Sequence, residues 1–354
     1  MKRAMSILVL LAAACGAPDR SPAAVEADGK KFQITGPYVH GNLAVYLLHS
    51  DARDDRDFVT LDEGLKNKTV TVTEKEEGQV NQLLLENLGE KPLFVQEGDR
   101  VKGGKQDRIV GLSFVVPGKS GKVGIPSFCV EQGRWTSQGG LAGASFTAGD
   151  AQLAPKEVRA AAKAGKDQGA VWDGVARTKL SAEKALGAEN TNTSLNESMD
   201  SEKTKKAVEP YEKALGGLLA GQSDVVGVAF ALNGKIEEVN IYPGHNLLAK
   251  LYSRLLGSYA FAAVLDTKGG SAPSPSTLAA FMKEGREKGR RSEDAVGNRV
   301  TLCDFDKQVR CQTEFQGQVV HAQWMRREEA SERRTNDGQQ MQQQVEEQNQ
   351  APRR

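Results

Sequence analysis

Residues 94–108 concentrate polar side chains around a glycine pair that could form a ligand site. Glu97 comes first, a Gly-Gly pair follows at 103–104, and Gln106, Asp107 and Arg108 come directly after it. Because glycine has no Cβ, a turn at such a pair lets a ligand approach the backbone closely, with the neighbouring side chains presented beside it. We therefore predict that this segment contributes to a ligand-binding site.

Residues 125–135 form a second segment with the same potential. Side chains alternate across a strand, so Cys129 and Glu131 are predicted to share one face. Arg134 and Trp135 follow the predicted strand end, where a guanidinium could hold a phosphate and an indole could stack on a base. The sequence thus favours a small phosphorylated ligand.

Both segments resemble the hallmark segments of a known family. Residues 97–98, 103–108 and 129–135 are similar to those of the ARG and rhodanese-phosphatase-superfamily-associated domain, in which ARG denotes ADP-ribosylglycohydrolase. The resemblance covers roughly residues 32–325. The family name implies a genomic association with NAD and ADP-ribose metabolism, and it implies no particular reaction.

Three classes of function are compatible with these residues. The first is a ligand-binding domain whose site contains six polar residues: Glu97, Gln106, Asp107, Arg108, Glu131 and Arg134. The second is a hydrolase for ADP-ribose-like or other phosphorylated nucleotide-sugar substrates, with Glu97 or Glu131 as the acid/base and the two arginines on phosphate. The third is a structural envelope protein in which the motif only maintains the fold. Whether the protein is an enzyme stays open at this point.

Cys129 allows a further catalytic interpretation. A cysteine nucleophile needs a neighbouring base, and His321 or His245 could serve, whereas the apolar residues beside Cys129 favour an inert buried thiol. The four histidines are isolated in the sequence, so no metal site is predicted. The glycine pair lacks the strand–GxGxxG–helix pattern of a dinucleotide fingerprint, and we predict no bound cofactor.

The N-terminus is typical of a bacterial lipoprotein precursor. Lys2 and Arg3 precede an apolar run too short to span a bilayer, which predicts a signal peptide over residues 1–14. Residues 11–15, Leu-Ala-Ala-Ala-Cys, resemble a lipobox, so Cys15 is expected to carry the lipid. Gly16 after the cysteine resembles the pattern of outer-membrane lipoproteins. We therefore expect an exported, lipid-anchored protein that faces the periplasm if the cell is Gram-negative.

The composition limits the partners. The formal net charge is +1 and no basic block is present, which argues against a nucleic-acid partner. The expected partners are the membrane, through the lipid, and a small phosphorylated ligand. The oligomeric state is not predicted.

The pattern along the chain predicts one α+β domain over residues 31–325. Residues 15–30 are expected to form a flexible tether, and the polar residues 326–354 a disordered tail. Within the domain, residues 31–150 read as an antiparallel β-rich region and residues 151–220 as helical. Residues 221–325 read as a hairpin, a helix and a three-stranded C-terminal meander.

The meander contains two cysteines that could be joined. If residues 306–308 form the loop between its first two strands, Cys303 lies directly opposite Cys311. Opposed residues in antiparallel strands are close enough for a disulfide, and an exported location is oxidising. The sequence predicts a Cys303–Cys311 disulfide, with pairing to Cys129 or two unlinked core thiols as the alternatives.

Overall fold

The computed structural model describes residues 21–51, 54, 56–75, 81–132, 145–149, 152–165, 167–187, 194–283 and 285–327. The predicted signal peptide, Cys15, Arg134 and the predicted tail beyond residue 327 lie outside these residues. In the described part the chain is α+β, as its patterning predicts. No helix of that part is both long and apolar enough to cross a membrane.

A nine-stranded antiparallel sheet forms the largest layer. With strands numbered in chain order, its members from edge to edge are β1 (Ala23–Ala27), β2 (Lys30–His40), β3 (Leu43–His49), β13 (Val225–Leu232), β14 (Lys235–Ile241), β18 (Gln318–Arg326), β17 (Gln308–Phe315), β16 (Asn298–Asp304) and β15 (Gly289–Ala295). The sheet joins the N-terminal strands to the C-terminal meander through the central hairpin. Residues far apart in sequence therefore meet on its face.

Two smaller sheets complete the β-structure. The six-stranded antiparallel sheet has the order β12 (Phe146–Ala148), β8 (Arg100–Gly103), β9 (Arg108–Val110), β11 (Lys122–Cys129), β6 (Gln82–Asn87) and β5 (Val70–Glu74). The three-stranded sheet has the order β10 (Phe114–Val116), β7 (Leu93–Val95) and β4 (Val59–Thr60), and its β4–β7 pair is parallel.

Seven helices are seen in the described residues: α1 (Leu61–Lys66), α2 (Lys156–Gly165), α3 (Gln168–Leu186), α4 (Leu195–Asp200), α5 (Glu202–Leu215), α6 (His245–Leu265) and α7 (Pro275–Lys283). The helix predicted after the hairpin is confirmed as α6, and its apolar residues Leu248, Leu251 and Leu255 are buried in the main core cluster. The predicted hairpin is also confirmed, since β13 and β14 are joined by a turn at Asn233-Gly234. Both residues have positive φ, as a tight hairpin turn requires.

Several predicted boundaries differ from the structure. β1 lies inside the segment expected to be a tether, because its alternate residue Val25 packs with Phe32 of β2 in the core. The apolar run 108–116 forms two strands, β9 and β10, which belong to different sheets. The C-terminal meander is confirmed, and β15 adds a fourth, charged strand that the alternation of apolar residues did not reveal.

The predicted Cys303–Cys311 disulfide is wrong. The loop between β16 and β17 begins one residue earlier than predicted, so Asp304 pairs with Val309, Cys303 with Arg310, and Cys311 with Leu302. A shift of one residue moves a side chain to the other face of the sheet. The two cysteines therefore point to opposite faces, and both are free thiols.

This register makes a simple prediction for cysteine chemistry. We expect peptide mapping without a reductant to recover the Cys303 and Cys311 peptides separately, each alkylated after unfolding. A Cys303–Cys311 linked peptide from freshly purified protein would contradict the register. The exposed loop variant Asp306→Asn serves as a control that should leave the map unchanged.

Candidate functional site

A buried ionic cluster joins the first polar segment to three other elements. It consists of Glu97, Arg159, Lys163, Glu238 and Gln323 and is called the Glu97 cluster below. Glu97 follows β7, the two basic residues lie one turn apart on α2, Glu238 belongs to β14 and Gln323 to β18. All five residues are at most 3% exposed. The cluster thus holds α2 against the large sheet.

Its hydrogen bonds are extensive. The Arg159 guanidinium bonds Glu238 through two bonds of 2.9 and 2.5 Å and also donates to Glu97 at 3.0 Å. The Lys163 ammonium contacts Glu97 and the side-chain oxygen of Gln323. The Gln323 amide then donates to Glu97 and Glu238, at 2.7 Å each. Each carboxylate therefore has several donors, as charges removed from water require.

The environment keeps both carboxylates ionised. Burial alone would raise the pKa of Glu238, but Arg159 and the Tyr259 hydroxyl, which donates at 2.5 Å, lower that pKa to about 2. The pKa of Glu97 is also lowered, because Lys163 and Arg159 outweigh its burial. A carboxylate held in its charged form by buried cations is a poor proton donor. This arrangement suits a structural role better than acid catalysis by Glu97.

His321 extends this cluster and makes its stability depend on pH. Burial lowers the pKa of His321 to about 4, and its Nε2 lies 3.0 Å from the side-chain oxygen of Asn240, whose amide donates to Glu238. The folded protein therefore holds a neutral imidazole, whereas the unfolded chain binds a proton near pH 6.5. The unfolded state binds more protons between these values, so stability falls as the pH falls.

We accordingly expect the free energy of unfolding to decrease between pH 6.5 and pH 4. The decrease should continue below the ordinary glutamate pKa as Glu238 approaches its own pKa of about 2. Denaturant unfolding at a series of pH values measures this. His321→Gln should flatten the part of the profile above pH 4, and an unchanged slope in that variant would contradict the assignment.

A second buried cluster contains the other predicted polar residues. It is called the Asp107 cluster and consists of Arg100, Asp107, Glu131, Asn196 and Asp200. The Asp107 carboxylate accepts from the Asn196 amide at 2.9 Å, and the Asp107 backbone N–H donates to Glu131 at 3.2 Å. Arg100 donates to Asn196 at 2.7 Å and to Asp200 at 2.6 Å. The cluster joins the six-stranded sheet to α4.

Arg108 lies beside this cluster on β9. Its side chain is fully buried, pairs with Glu74 at 3.4 Å and contacts the Cys129 sulfur across the β9–β11 pair. Gln106 is buried next to it. Arg108 therefore bridges two strands of the sheet.

The predicted site residues are thus only partly brought together. Asp107 and Glu131 are in contact and Arg108 is their neighbour in the sheet, but Glu97 belongs to the separate Glu97 cluster. Arg134 lies outside the described residues. Glu97, Asp107, Arg108 and Glu131 are at most 6% exposed and are bonded to other groups. That these side chains bind a ligand directly stays a prediction.

The structure also does not form the cysteine–histidine pair considered from the sequence. Burial raises the pKa of Cys129 to about 11, and its described side-chain contact is Arg108. His321 bonds Asn240 in the Glu97 cluster, and the His245 ring bonds the Val225 carbonyl at 3.1 Å. Neither imidazole is a partner of Cys129. These contacts favour the inert-thiol interpretation.

A cavity lies against the Asp107 cluster. It has a volume of about 700 Å³ and is named the Asp200 cavity after the acidic residue in its wall. α1, β12, α4 and α5 border it, and the wall residues used below are Ala148, Gln152, Asp200, Lys205 and Glu212. Cavities of this size commonly bind small molecules. Within the described residues, no cluster of histidine, cysteine and carboxylate side chains could hold a metal ion.

Arg100 connects the cavity to the predicted polar segments. Its guanidinium donates to Asp200, to Asn196 and, at 2.9 Å, to the backbone carbonyl of Gln152. Two wall residues are therefore positioned by one buried arginine, which is tied to Asp107 through Asn196. The pKa of Asp200 is lowered because Arg100 and Lys102 outweigh its burial, so the wall presents a carboxylate.

Sequence reasoning missed Arg100, Arg159, Asp200 and Glu238. Arg100 follows Glu97 by three residues. The high proportion of charged residues in this short, otherwise apolar stretch was the one sequence feature that pointed to it. Arg159 lies in a helix whose Ala- and Lys-rich composition is typical of a solvent-exposed helix. Glu238 lies in a hairpin strand whose sequence shows no sign of a functional role. Their importance depends on partners far away in the sequence: 62 residues separate Arg159 from Glu97, and 100 separate Arg100 from Asp200.

The comparisons with known proteins agree with the resemblance seen in the motif. The family model of the ARG and Rhodanese-Phosphatase-superfamily-associated Protein domain matches residues 31–325. No curated protein and no solved structure matches the chain. Since the matched range includes both buried clusters and the Asp200 cavity, the motif segments belong to the core of the domain. The chain is a member of the ARG and Rhodanese-Phosphatase-superfamily-associated Protein domain family.

Proposed function

We propose that this protein is a membrane-anchored extracytoplasmic domain that binds a small polar ligand in the Asp200 cavity. One observation carries the proposal: Arg100 bonds both Asp200 and Gln152 of the cavity wall and is joined through Asn196 to Asp107 of the motif. Asp107, which belongs to the motif, therefore helps to fix the cavity wall through Asn196 and Arg100. Its own side chains do not need to touch the ligand.

The hydrogen bonds of the buried Arg100 side chain favour a binding role. Arg100 is 1% exposed, and a buried guanidinium is costly unless its donors are satisfied. Its bonds to Asp200, Asn196 and Gln152 satisfy that need and also fix the wall of the cavity. A wall held by buried hydrogen bonds is preorganised, so less ordering is required when a ligand binds.

The hydrolase alternative receives less support. It requires Glu97 or Glu131 to reach a substrate as an acid or base. Glu97 is held by Arg159 and Lys163, and Glu131 accepts from the Asp107 backbone, so both carboxylates are engaged away from the cavity. The structural alternative is retained as one outcome of the test below.

A thermal-shift screen tests the proposal. We would measure the melting temperature of the lipid-free domain with ADP-ribose, AMP, ribose 5-phosphate and glucose. A ligand present at about 100 times its dissociation constant should stabilise the folded state by about 2.7 kcal/mol, which corresponds to a rise of several degrees. We expect at least one phosphorylated compound to produce such a rise.

Variants of the cavity wall test whether the stabilising compound binds in the Asp200 cavity. Lys205→Glu, in the wall of the cavity, should abolish the stabilisation by a phosphorylated compound. The neighbouring exposed residue Lys206 lies outside the set of lining residues, so Lys206→Glu is the matched control and should behave like the wild type. No shift with any compound, or equal shifts in both variants, would favour the structural envelope role.

A further inference from the structure

One end of the Asp200 cavity presents two hydrogen-bond acceptors without donors. The side-chain oxygen of Gln152 is buried and has no hydrogen-bond partner in the described part of the chain, although Gln152 is only 6% exposed. Glu212 also lines the cavity and forms no ion pair with any described residue. A buried acceptor left without a donor is costly, so such a group indicates a missing partner.

The side chains that carry these two acceptors meet at Gly257 of α6. A Cβ placed on Gly257 would lie 2.7 Å from the Gln152 Cγ and 3.3 Å from a carboxylate oxygen of Glu212. Both side chains therefore approach the same point of the helix backbone. Glycine in a helix interior costs roughly 1 kcal/mol relative to alanine, and here it leaves the space that these two groups occupy.

The basic residues of the cavity do not neutralise Glu212. Lys66 pairs with Asp62 at 2.9 Å, and Lys205 contacts Glu202 at 3.3 Å. Asp200 is compensated by Arg100 and Lys102. Burial and the nearby Glu209 raise the pKa of Glu212, which is the direction expected for a carboxyl group without a cationic partner.

From this geometry we infer that the ligand of the Asp200 cavity carries a protonated amino group, which binds between Glu212 and the Gln152 side-chain oxygen. An ammonium group has three donors and no acceptor, so it can satisfy both oxygens and supply the missing positive charge. A hydroxyl group would supply one donor and no charge. The inference rests on the proposed function, because it specifies the chemistry of one end of the same cavity.

Ethanolamine and ethylene glycol are suitable probes, since they differ by one ammonium group in place of a hydroxyl. Titrations of the isotope-labelled domain would follow the backbone amide resonances of Gly257 and Met199. We expect saturable shifts with ethanolamine and only small, linear shifts with ethylene glycol. Glu212→Gln keeps the shape of the side chain and removes its charge, and it should weaken ethanolamine binding about tenfold or more.

Glu26→Gln is the matched control, because Glu26 is an exposed carboxylate on β1 that does not line the cavity. It should leave the ethanolamine titration unchanged. The inference is overturned if ethanolamine causes no saturable shift at Gly257 in the wild type, or if Glu212→Gln binds it equally well. If phosphorylated compounds still stabilise the domain through Lys205 in that case, the proposed function survives and only the amino-group assignment fails.

Discussion

Arg159→Ala is expected to lower the free energy of unfolding by about 3–5 kcal/mol, the range found when one partner of a buried ion pair is removed. Arg159 is 1% exposed and is bonded to both Glu97 and Glu238. Its loss would leave two buried carboxylates with fewer donors. The Ala154 carbonyl, which accepts from the Arg159 Nε at 3.0 Å, would keep its bond from the Ser258 hydroxyl. The effect is large against a typical total stability of about 5–15 kcal/mol.

Urea unfolding followed by circular dichroism measures this change. Arg290→Ala is the matched control, because the ion pair of Arg290 with the neighbouring Glu287 lies at the surface and its loss should cost less than about 1 kcal/mol. Arg159→Met retains most of the volume without the charge and should be nearly as destabilising as alanine. A cost for Arg159→Ala similar to that of the surface control would show that the Glu97 cluster does not hold α2 to the sheet.

Cys15→Ala is expected to block lipidation and removal of the signal peptide. The proposed anchor is a lipid on Cys15, and no helix in the described part of the chain can replace it. Without the thiol, the lipid cannot be transferred and the lipoprotein signal peptidase has no substrate. The unmodified precursor should then accumulate with residues 1–14 still attached.

Mass spectrometry of the N-terminal peptide and fractionation of the membranes measure this outcome together. Ala12→Leu brings the lipobox closer to the commoner pattern and should leave lipidation intact, so it is the matched control. An unmodified Cys15 in the mature wild type, or cleavage at another bond, would contradict the assignment. Loss of the anchor should not alter the melting temperature of the domain, whose first described strand begins at Ala23.

The parts of the fold predicted correctly from the sequence depend on local signals. α6 has an uninterrupted apolar stripe, and the Asn233-Gly234 turn has residues that accept positive φ at both positions. Such signals act over a few residues and need no knowledge of distant partners. The C-terminal meander followed from the same kind of alternation.

The errors depend on information that is not local. The register of β16 and β17 differs by one residue from the prediction, and that single step separates Cys303 from Cys311. Whether residues 108–116 form one strand or two is decided by the different sheets that receive β9 and β10. Strand patterning could not distinguish these cases, because the alternation within one strand does not determine its partner strand or its register with that partner.

The candidate site shows the same limit. The motif correctly marked residues with unusual chemistry, and Asp107 and Glu131 do lie in contact. Their polar character suggested direct contact with a ligand, whereas the structure buries them one step behind the cavity wall. The wall residues Asp200 and Glu212 come from helices whose sequences look like ordinary solvated surface. Their role depends on contacts with other elements, namely the bond from Arg100 to Asp200 and the approach of Glu212 to Gly257.

The most direct test is whether the Asp200 cavity carries a ligand in the protein as cells produce it. Full-length protein would be purified from membranes without denaturation and analysed by native mass spectrometry. Ala148→Trp places a large side chain in the cavity wall, and Thr71→Trp, on β5 outside the cavity, is the control. We predict a small bound mass, lost on denaturation, in the wild type and Thr71→Trp but absent from Ala148→Trp. The same bound mass in all three proteins, or none in the wild type, would contradict a ligand-binding role for this cavity.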